Sequence, residues 1–224
     1  MQYLRKIFIS WLLCLVCLAA VSQSARFSLA TDVNVLRSIR KQQHFWAIGQ
    51  TVTANFHFTP KEAFYVWFVY YTNGKFDNHL NADAKLAATT PQQIAYTNNA
   101  VMTFKQLSLG WKHYFIGSFD SEDKWNFYGS AGLGLMLGRV ENTHSVVVDT
   151  ATYNVPVFAG KANFKRLTFD IALGYEKPVG GDIFLYAEGR LLAPMTDYPS
   201  DYIYIDRNAP LTTSLNLGIR ILFD

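Results

Sequence analysis

Large apolar residues occupy every second position at the end of this chain. They are Leu215, Leu217, Ile219, Ile221 and Phe223, with Asn216, Gly218, Arg220 and Leu222 between them and Asp224 after them. Because successive side chains of a strand point to opposite faces, this spacing predicts a β-strand with one continuous apolar face. Such a face suits a strand that crosses lipid, where only helices and closed barrels satisfy their backbone groups.

The same alternation recurs along the chain and predicts eight strands. They cover residues 26–36, 45–58, 63–73, 101–116, 124–140, 164–176, 183–193 and 211–223. Short links that contain Pro, Gly or Asp, at residues 59–62, 117–123 and 177–182, are typical of tight turns. They alternate with longer polar links at residues 37–44, 74–100, 141–163 and 194–210. We therefore predict an all-β, eight-stranded antiparallel up-and-down barrel with both termini at one end.

The polar faces of the strands indicate which side of this barrel is apolar. A soluble barrel of the lipocalin kind turns its apolar face inward and a solvated face outward. Here the polar faces carry the glycines Gly49, Gly132, Gly134, Gly138 and Gly174. Glycine weakens an exposed strand but suits the crowded interior of an eight-stranded barrel. The pattern therefore favours a transmembrane barrel, although the third strand is apolar on both faces and its lumen side stays unassigned.

This assignment places four acidic and four basic residues inside the barrel. They are Asp32, Asp170, Glu176 and Glu188 with Lys112, Arg166, Arg190 and Arg220. Charges withdrawn from water are tolerated when they are paired and hydrogen-bonded, so we expect an ionic network that closes the lumen. A proton or ion path is the alternative. On the outside, Trp46, Trp111, Trp125, Tyr175 and Phe223 fall near strand ends, which predicts an aromatic girdle.

Residues 1–24 have the pattern of a secretory signal peptide. Arg5 and Lys6 precede an apolar run over residues 7–21 that is short for an anchor helix of about 20 residues. Small residues suitable for cleavage follow the run. We therefore predict a cleaved signal peptide at residues 1–24 and one barrel domain at residues 25–224.

Removal of that segment changes both cysteine content and charge. Cys14 and Cys17 lie inside it, so the barrel domain has no cysteine for a disulfide or a thiolate metal site. The domain carries 18 basic and 17 acidic residues, a net charge of +1. This balance gives no indication of a nucleic-acid partner.

The histidines do not form a recognisable reactive site. His144 and Ser145 are adjacent, but neighbours on an extended chain point to opposite faces. Catalysis would require His79 or His144 to meet a hydroxyl and a carboxylate within about 3 Å. His57 and His113 have no metal-ligand spacing with another His, Asp or Glu. We predict no catalytic site, no metal and no cofactor.

The link at residues 194–210 is rich in acidic and aromatic residues. It carries Asp197, Asp201 and Asp206 with Tyr198, Tyr202 and Tyr204. Oxygen-rich loops can hold calcium, but the EF-hand spacing and its glycine are absent. We expect a solvated loop whose tyrosines could also contact a sugar or a protein.

The basic N-terminal segment, the eight strands and the closing segment 215–223 resemble the small outer-membrane β-barrel proteins of Gram-negative bacteria, the OmpA-, OmpX- and OmpW-like barrels. Residues 184–190, Phe-Leu-Tyr-Ala-Glu-Gly-Arg, are similar to their penultimate strands. The resemblance implies an outer-membrane location with periplasmic termini and extracellular long loops. It implies outer-membrane lipid as surroundings and a barrel-insertion machinery that recognises the last strand.

Membership of such a family leaves several functions open. We expect a structural or surface-interaction role through the extracellular loops, with an unidentified extracellular ligand. A narrow channel for small or apolar solutes and a lipid- or peptide-acting enzyme are the alternatives.

Overall fold

Eight long antiparallel strands close into a barrel in the computed structural model, which describes residues 26–39, 44–197 and 210–223. The strands of the described residues are β1 (Arg26–Ser38), β2 (Trp46–Thr59), β3 (Glu62–Ala84), β4 (Gln93–Ile116), β5 (Asn126–His144), β6 (Tyr153–Asn154), β7 (Gly160–Gly180), β8 (Ile183–Pro194) and β9 (Thr212–Phe223). The two-residue strand β6 pairs with the end of β3 and stands outside the barrel. The predicted signal peptide lies outside the described residues.

The barrel closes through the pairing of β1 with both β2 and β9. A row of paired residues that begins at Phe27 passes once round all eight strands and returns to β1 at Arg37, ten residues further on. Such a stagger requires strands that tilt by about 35–45° from the barrel axis. The predicted eight-stranded antiparallel barrel is confirmed. In the described ranges, no helix is long and apolar enough to cross a membrane.

Short turns and longer connections lie at opposite ends of the barrel. The turns at residues 60–61, 117–125 and 181–182 share one end with Arg26 and Phe223, and we call it the turn end. The other end, which we call the loop end, carries the extended parts of β3, β4, β5 and β7. This alternation matches the predicted order of short and long links.

The predicted loop at residues 74–100 is wrong, because most of it forms strand. β3 continues to Ala84 and β4 begins at Gln93, so that residues 85–92 alone connect them. Residues 74–83 pair with residues 93–102 through the backbone. The composition is largely polar because most of this hairpin lies beyond the apolar belt, where backbone pairing requires no apolar face, although Phe76 and Met102 still pack into the lumen. The predicted link at residues 141–163 is likewise shortened by the extension of β5 to His144 and by β7 from Gly160.

The structure shows which face of the third strand points into the lumen, which the sequence pattern left unassigned. Tyr65, Trp67, Val69 and Tyr71 point into the lumen and are almost fully buried. They pack with Met102, Phe104, Met136, Phe164 and Leu192 as an apolar core in the loop-end half of the lumen. Because the lumen itself is apolar at this height, alternation could not distinguish its side from the lipid side.

Glycines on the inner faces make room for these large side chains. A methyl group added at Gly174 would lie 2.2 Å from Cζ of Tyr128, and one added at Gly138 would lie 2.0 Å from Cζ of Phe164. Two carbon atoms cannot approach this closely, so a larger residue at either position would clash with the ring that packs against the glycine. The small residues predicted for the lumen therefore allow its dense packing.

Candidate functional site: the filled lumen and the apolar outer surface

All eight charged residues predicted for the lumen are buried there. The exposed fractions lie between 0% and 7% for Asp32, Lys112, Arg166, Asp170, Glu176, Glu188, Arg190 and Arg220. Strand alternation explains this placement, because each charged residue occupies an inward-facing position, as do the glycines of its own strand or of a neighbouring strand. The structure collects six of the eight into two ion clusters.

Arg190 is the centre of the first cluster. Its Nη1 lies 3.1 Å from Oδ1 of Asp170, and its Nη2 lies 2.9 Å from Oε1 of Glu188. The guanidinium also stacks over the ring of Trp67, with 4.4 Å between Cζ and the ring centroid. Two carboxylates and an aromatic face thus surround one cation, which is the compensation that a buried charge requires.

Glu176 is the centre of the second cluster, nearer the turn end. Its carboxylate accepts a hydrogen bond from Nη2 of Arg220 and lies 3.5 Å from Nζ of Lys112. Nδ2 of Asn126 donates to it at 3.3 Å. Nζ of Lys112 also lies 3.5 Å from the ring centroid of Tyr128. Here one acid compensates two cations.

Asp32 and Arg166 have other neighbours. Asp32 accepts hydrogen bonds from the hydroxyl of Tyr186 at 2.6 Å and from Nδ2 of Asn34 at 3.2 Å. Nε of Arg166 lies 3.3 Å from Sδ of Met136, next to the apolar core. Around Asp32, hydroxyl and amide donors therefore take part of the role of a counter-ion.

Phe119 covers the lumen at the turn end. The turn between β4 and β5 places its ring on the imidazole of His57, with the centroids 4.3 Å apart. Its carbonyl accepts a hydrogen bond from Nη2 of Arg220 at 2.7 Å, and its N–H donates to the carbonyl of Pro60 at 3.1 Å. This turn is thereby tied both to the neighbouring turn and to the second ion cluster.

A cavity of about 20 Å³ lies between the two ion clusters. Its lining includes Asp32, Glu188 and Arg220. A polar cavity of this size holds about one water molecule. The lumen is thus layered: aromatic side chains at the turn end, ionic clusters and a small polar cavity in the middle, and the apolar core at the loop end.

The outer surface of the barrel is an apolar belt. On β7, for example, Leu167, Phe169, Ile171, Leu173 and Tyr175 are all exposed. The same holds for the residues that the sequence assigns to the insertion signal, Leu215, Leu217, Ile219, Ile221 and Phe223 of β9. Exposed large apolar residues line the outer faces of all eight barrel strands.

The residues predicted as an aromatic girdle all lie on this outer surface, but unevenly. Trp111, Trp125, Tyr175 and Phe223 are at the turn end, whereas Trp46 is at the loop end. Other aromatic side chains join this group at the turn end: the ring of Phe58, for example, stacks on Trp111 with the centroids 5.8 Å apart. At the loop end the guanidinium of Arg37 stacks on Trp46 at 4.9 Å.

The extended β3–β4 hairpin has a small apolar core of its own. Ala82, Tyr96 and Tyr153 are buried together, so the short strand β6 holds the segment between β5 and β7 against the hairpin. Hydrogen bonds from the hydroxyl of Thr152 and the N–H of Ala151 lower the pKa of Asp149 in this segment. The hairpin is therefore a supported projection.

The histidines of this projection do not assemble catalytic chemistry. Nδ1 of His79 lies 3.1 Å from Oγ1 of Thr97, and Oγ of Ser145 accepts a hydrogen bond from the N–H of Thr97. Partial burial lowers the pKa of His144, whose ring packs on Tyr96 at 4.6 Å. In the described part of the chain, no carboxylate hydrogen-bonds to His79 or His144. Nor does any group of three His, Cys, Asp or Glu in those ranges form a metal site.

The predicted acidic and aromatic loop at residues 194–210 lies mainly outside the described residues, which omit residues 198–209. Asp197 is described and is exposed. The positions of Asp201, Asp206, Tyr198, Tyr202 and Tyr204 therefore stay predictions.

Comparisons with known proteins give structural matches only. No family model matches the chain, and no curated protein matches its sequence. Neisserial surface protein A has a similar structure, with a TM-score of 0.59, 12% identity, and coverage of 90% of this chain and 100% of that one. A major outer membrane protein from Thermus thermophilus matches with a TM-score of 0.53 and 10% identity, over 90% of this chain and 100% of that one. The outer membrane protein OprG from Pseudomonas aeruginosa matches with a TM-score of 0.50 and 10% identity, over 89% and 96%.

The chain has the fold of the small outer-membrane β-barrels. At these identities the likeness shows the fold alone. The resemblance noted from the sequence is thus confirmed at the level of architecture.

Several residues of this outer-membrane-type barrel were missed by sequence reasoning. The hydroxyls of Tyr65 and Tyr128 donate to Asp170 at 3.0 Å and to Glu188 at 3.2 Å. Tyr128 lies on the same inner face of β5 as Gly132 and Gly134, but strand alternation does not identify a partner on a distant strand. On the outside, Glu62 accepts hydrogen bonds from Trp111 and His113. That contact depends on the pairing register of β3 with β4, which the sequence does not specify.

Proposed function

We propose that the protein is an integral outer-membrane barrel with a structural or surface-interaction role, non-enzymatic and closed to solutes. The observation that carries the proposal is an apolar outer wall around a lumen filled with ion pairs. Soluble monomers rarely expose apolar patches larger than a few hundred Å², since each Å² costs roughly 25 cal/mol in water. Lipid removes this cost, and a closed barrel satisfies every backbone group there.

The orientation follows from the two ends of the barrel. Outer-membrane barrels have short periplasmic turns and longer extracellular loops. The turn end, which holds Arg26 and Phe223, is therefore assigned to the periplasm, in keeping with the predicted signal peptide. The terminal strand β9 presents its apolar face outward, where we expect the barrel-insertion machinery to recognise it.

The surface-interaction role is supported by the β3–β4 hairpin. β3 loses its pairing with β2 after Tyr71 but continues to Ala84. This projection extends for roughly 40 Å along the strand, and β6 supports its tip. A structure that served only to span the membrane would require no such projection.

Cysteine labelling in intact cells tests the location and the orientation. The barrel domain has no native cysteine. Ala88→Cys places a thiol in the β3–β4 connection, and Lys61→Cys places one in the β2–β3 turn. We expect a membrane-impermeant maleimide to label Ala88→Cys in intact cells, and to label Lys61→Cys only after the outer membrane is permeabilised. The protein should fractionate with the outer membrane and change its gel mobility on heating.

The reverse labelling pattern would contradict the proposed orientation. Recovery of the unmodified protein in a detergent-free soluble fraction, with its fold retained, would contradict the membrane location itself.

Planar-bilayer recording tests the closed lumen. We expect the purified protein to produce no stable conductance steps, because the turn-end aromatic layer, two ion clusters and the loop-end apolar core leave a cavity of about 20 Å³. A large-pore porin reconstituted in the same bilayer is the positive control. Reproducible steps from the purified barrel would support the channel alternative.

A further inference from the structure

Three exposed cations stand at the loop-end edge of the apolar belt on neighbouring strands. They are Lys105 of β4, Arg139 of β5 and Lys165 of β7. On the same outer face, the next residues toward the turn end are Leu107, Leu137 and Leu167, all exposed. Each strand therefore changes from apolar to basic near the loop end, and on β5 the change lies two residues further out than on its two neighbours.

Strand register brings these cations together. Lys105 and Lys165 both pair with Leu137, from opposite sides. Two strand spacings separate the Cα atoms of the lysines, about 10 Å, and Arg139 stands about 7 Å further along the middle strand. Long, flexible side chains at these distances can converge on one or two small anions above Leu137.

The space between them is a shallow groove of about 570 Å³, lined by all three cations with Tyr70 and Leu137 among others. Nζ of Lys105 lies 5.6 Å from the ring centroid of Tyr70. No acid of the described residues forms an ion pair with Lys105, Arg139 or Lys165. The acid two residues beyond Arg139 is Glu141, which already pairs with Lys161 at 3.0 Å.

In the described ranges, the rest of the outer wall has no comparable cluster of exposed cations at this edge. The outer faces of β8 and β9, as far as the structure describes them, carry no charged residue. On β1 the single outward cation near the loop end is Arg37, which stacks on Trp46. Among the described residues, the positive charge at this edge of the belt is thus concentrated on one sector, formed by β4, β5 and β7.

Cations at the edge of hydrocarbon require counter-charge, because an unpaired charge there is costly. We propose that Lys105, Arg139 and Lys165 bind the phosphate groups of a phosphorylated outer-leaflet lipid, whose acyl chains lie along Leu107, Leu135 and Leu167. Arg139 supplies a planar fork for a phosphate, and the two lysines supply point charges on either side. This proposal rests on the proposed function, since it requires the belt to face lipid.

A binding titration on the detergent-solubilised, full-length exported protein tests the site. The probes are lipopolysaccharide, the same lipid after enzymatic dephosphorylation, and inorganic phosphate. The test variant is the triple substitution Lys105→Gln, Arg139→Gln and Lys165→Gln. The control variant, Lys61→Gln, Lys124→Gln and Lys177→Gln, makes the same change of charge among exposed residues at the turn end.

We expect the test variant to bind lipopolysaccharide on the order of 100-fold more weakly, at roughly fivefold for each charge removed. The control variant should stay within about twofold of the unmodified protein. Dephosphorylated lipid should bind as weakly to the unmodified protein as lipopolysaccharide binds to the test variant. Inorganic phosphate should not compete at equal concentration, because it lacks the acyl chains.

Equal binding by the test and control variants, or full competition by inorganic phosphate, would overturn the lipid site. Heat-dependent gel mobility of every sample separates this result from failure of the proposed function. A protein that is not a folded barrel in detergent contradicts both proposals, whereas a folded barrel with unchanged affinity contradicts this one alone.

Discussion

Replacement of Glu176 by glutamine is expected to lower the free energy of unfolding of the barrel by about 3–5 kcal/mol. Glu176 is fully buried and is the only acid in the described residues that pairs with Arg220 and Lys112. Glutamine retains the shape of the side chain but leaves two buried cations without counter-charge. Equilibrium unfolding in urea, from detergent micelles and followed by tryptophan fluorescence, measures the loss.

The surface pair of Arg26 with Asp120 provides the control. These side chains are 48% and 38% exposed, and their closest atoms are 3.4 Å apart. Asp120→Asn is expected to cost less than about 1 kcal/mol, since water already screens the pair. The double variant Glu176→Gln/Arg220→Gln should lose less unfolding free energy than the two single variants lose in sum, because it also removes one of the two cations left without counter-charge. A Glu176→Gln variant as stable as Asp120→Asn would contradict the electrostatic role of the second cluster.

The sequence predicts the strands and their faces wherever one face is apolar and the other is small or polar. β9 is the clearest case, because its last five outward residues are all large and apolar, whereas Asn216, Gly218 and Arg220 point inward. β3 resists the same reasoning, since Trp67 and Tyr71 fill an apolar lumen while Phe68 and Tyr70 face outward. Period-two alternation identifies the inner face only where the two faces of a strand differ in polarity, and the two faces of β3 differ little.

Strand alternation predicts which side chains point into the lumen, but it does not predict which of them contact one another. Glu188 and Arg190 lie on one face of one strand, and they form an ion pair. Asp170 reaches Arg190 from the neighbouring strand, but the same carboxylate also accepts from Tyr65, 105 residues earlier in the chain. Contacts across the barrel depend on its stagger and diameter, which no local pattern specifies.

The lengths of β3 and β4 show a second limit. Both continue beyond the belt as a polar hairpin, although the apolar alternation that predicts them covers only residues 63–73 and 101–116. A strand outside the membrane requires backbone pairing and a few buried side chains, here Ala82 and Tyr96. A search for alternating apolar residues therefore misses strands that lie in polar segments outside the belt.

Replacement of Ile171 by arginine is expected to lower the free energy of unfolding by about 2–4 kcal/mol in lipid. On the outer face of β7, five apolar residues lie between Lys165 and Lys177, and Ile171 is the middle one. An arginine there would place its charge near the centre of the hydrocarbon. If the belt faced water instead, replacement of a side chain that is 45% exposed would change the stability by no more than about 0.5 kcal/mol.

Val179→Arg is the matched control for this substitution. Val179 is on the same strand and the same outer face, beyond Lys177 at the turn end, and is 55% exposed. An arginine at the interface costs about 0–1 kcal/mol, because its head group reaches water. Urea unfolding from phosphatidylcholine vesicles should therefore separate the two variants by at least about 1 kcal/mol. Equal stability of both variants and the unmodified protein would mean that hydrocarbon does not cover this wall, whereas the expected difference would locate the membrane along β7.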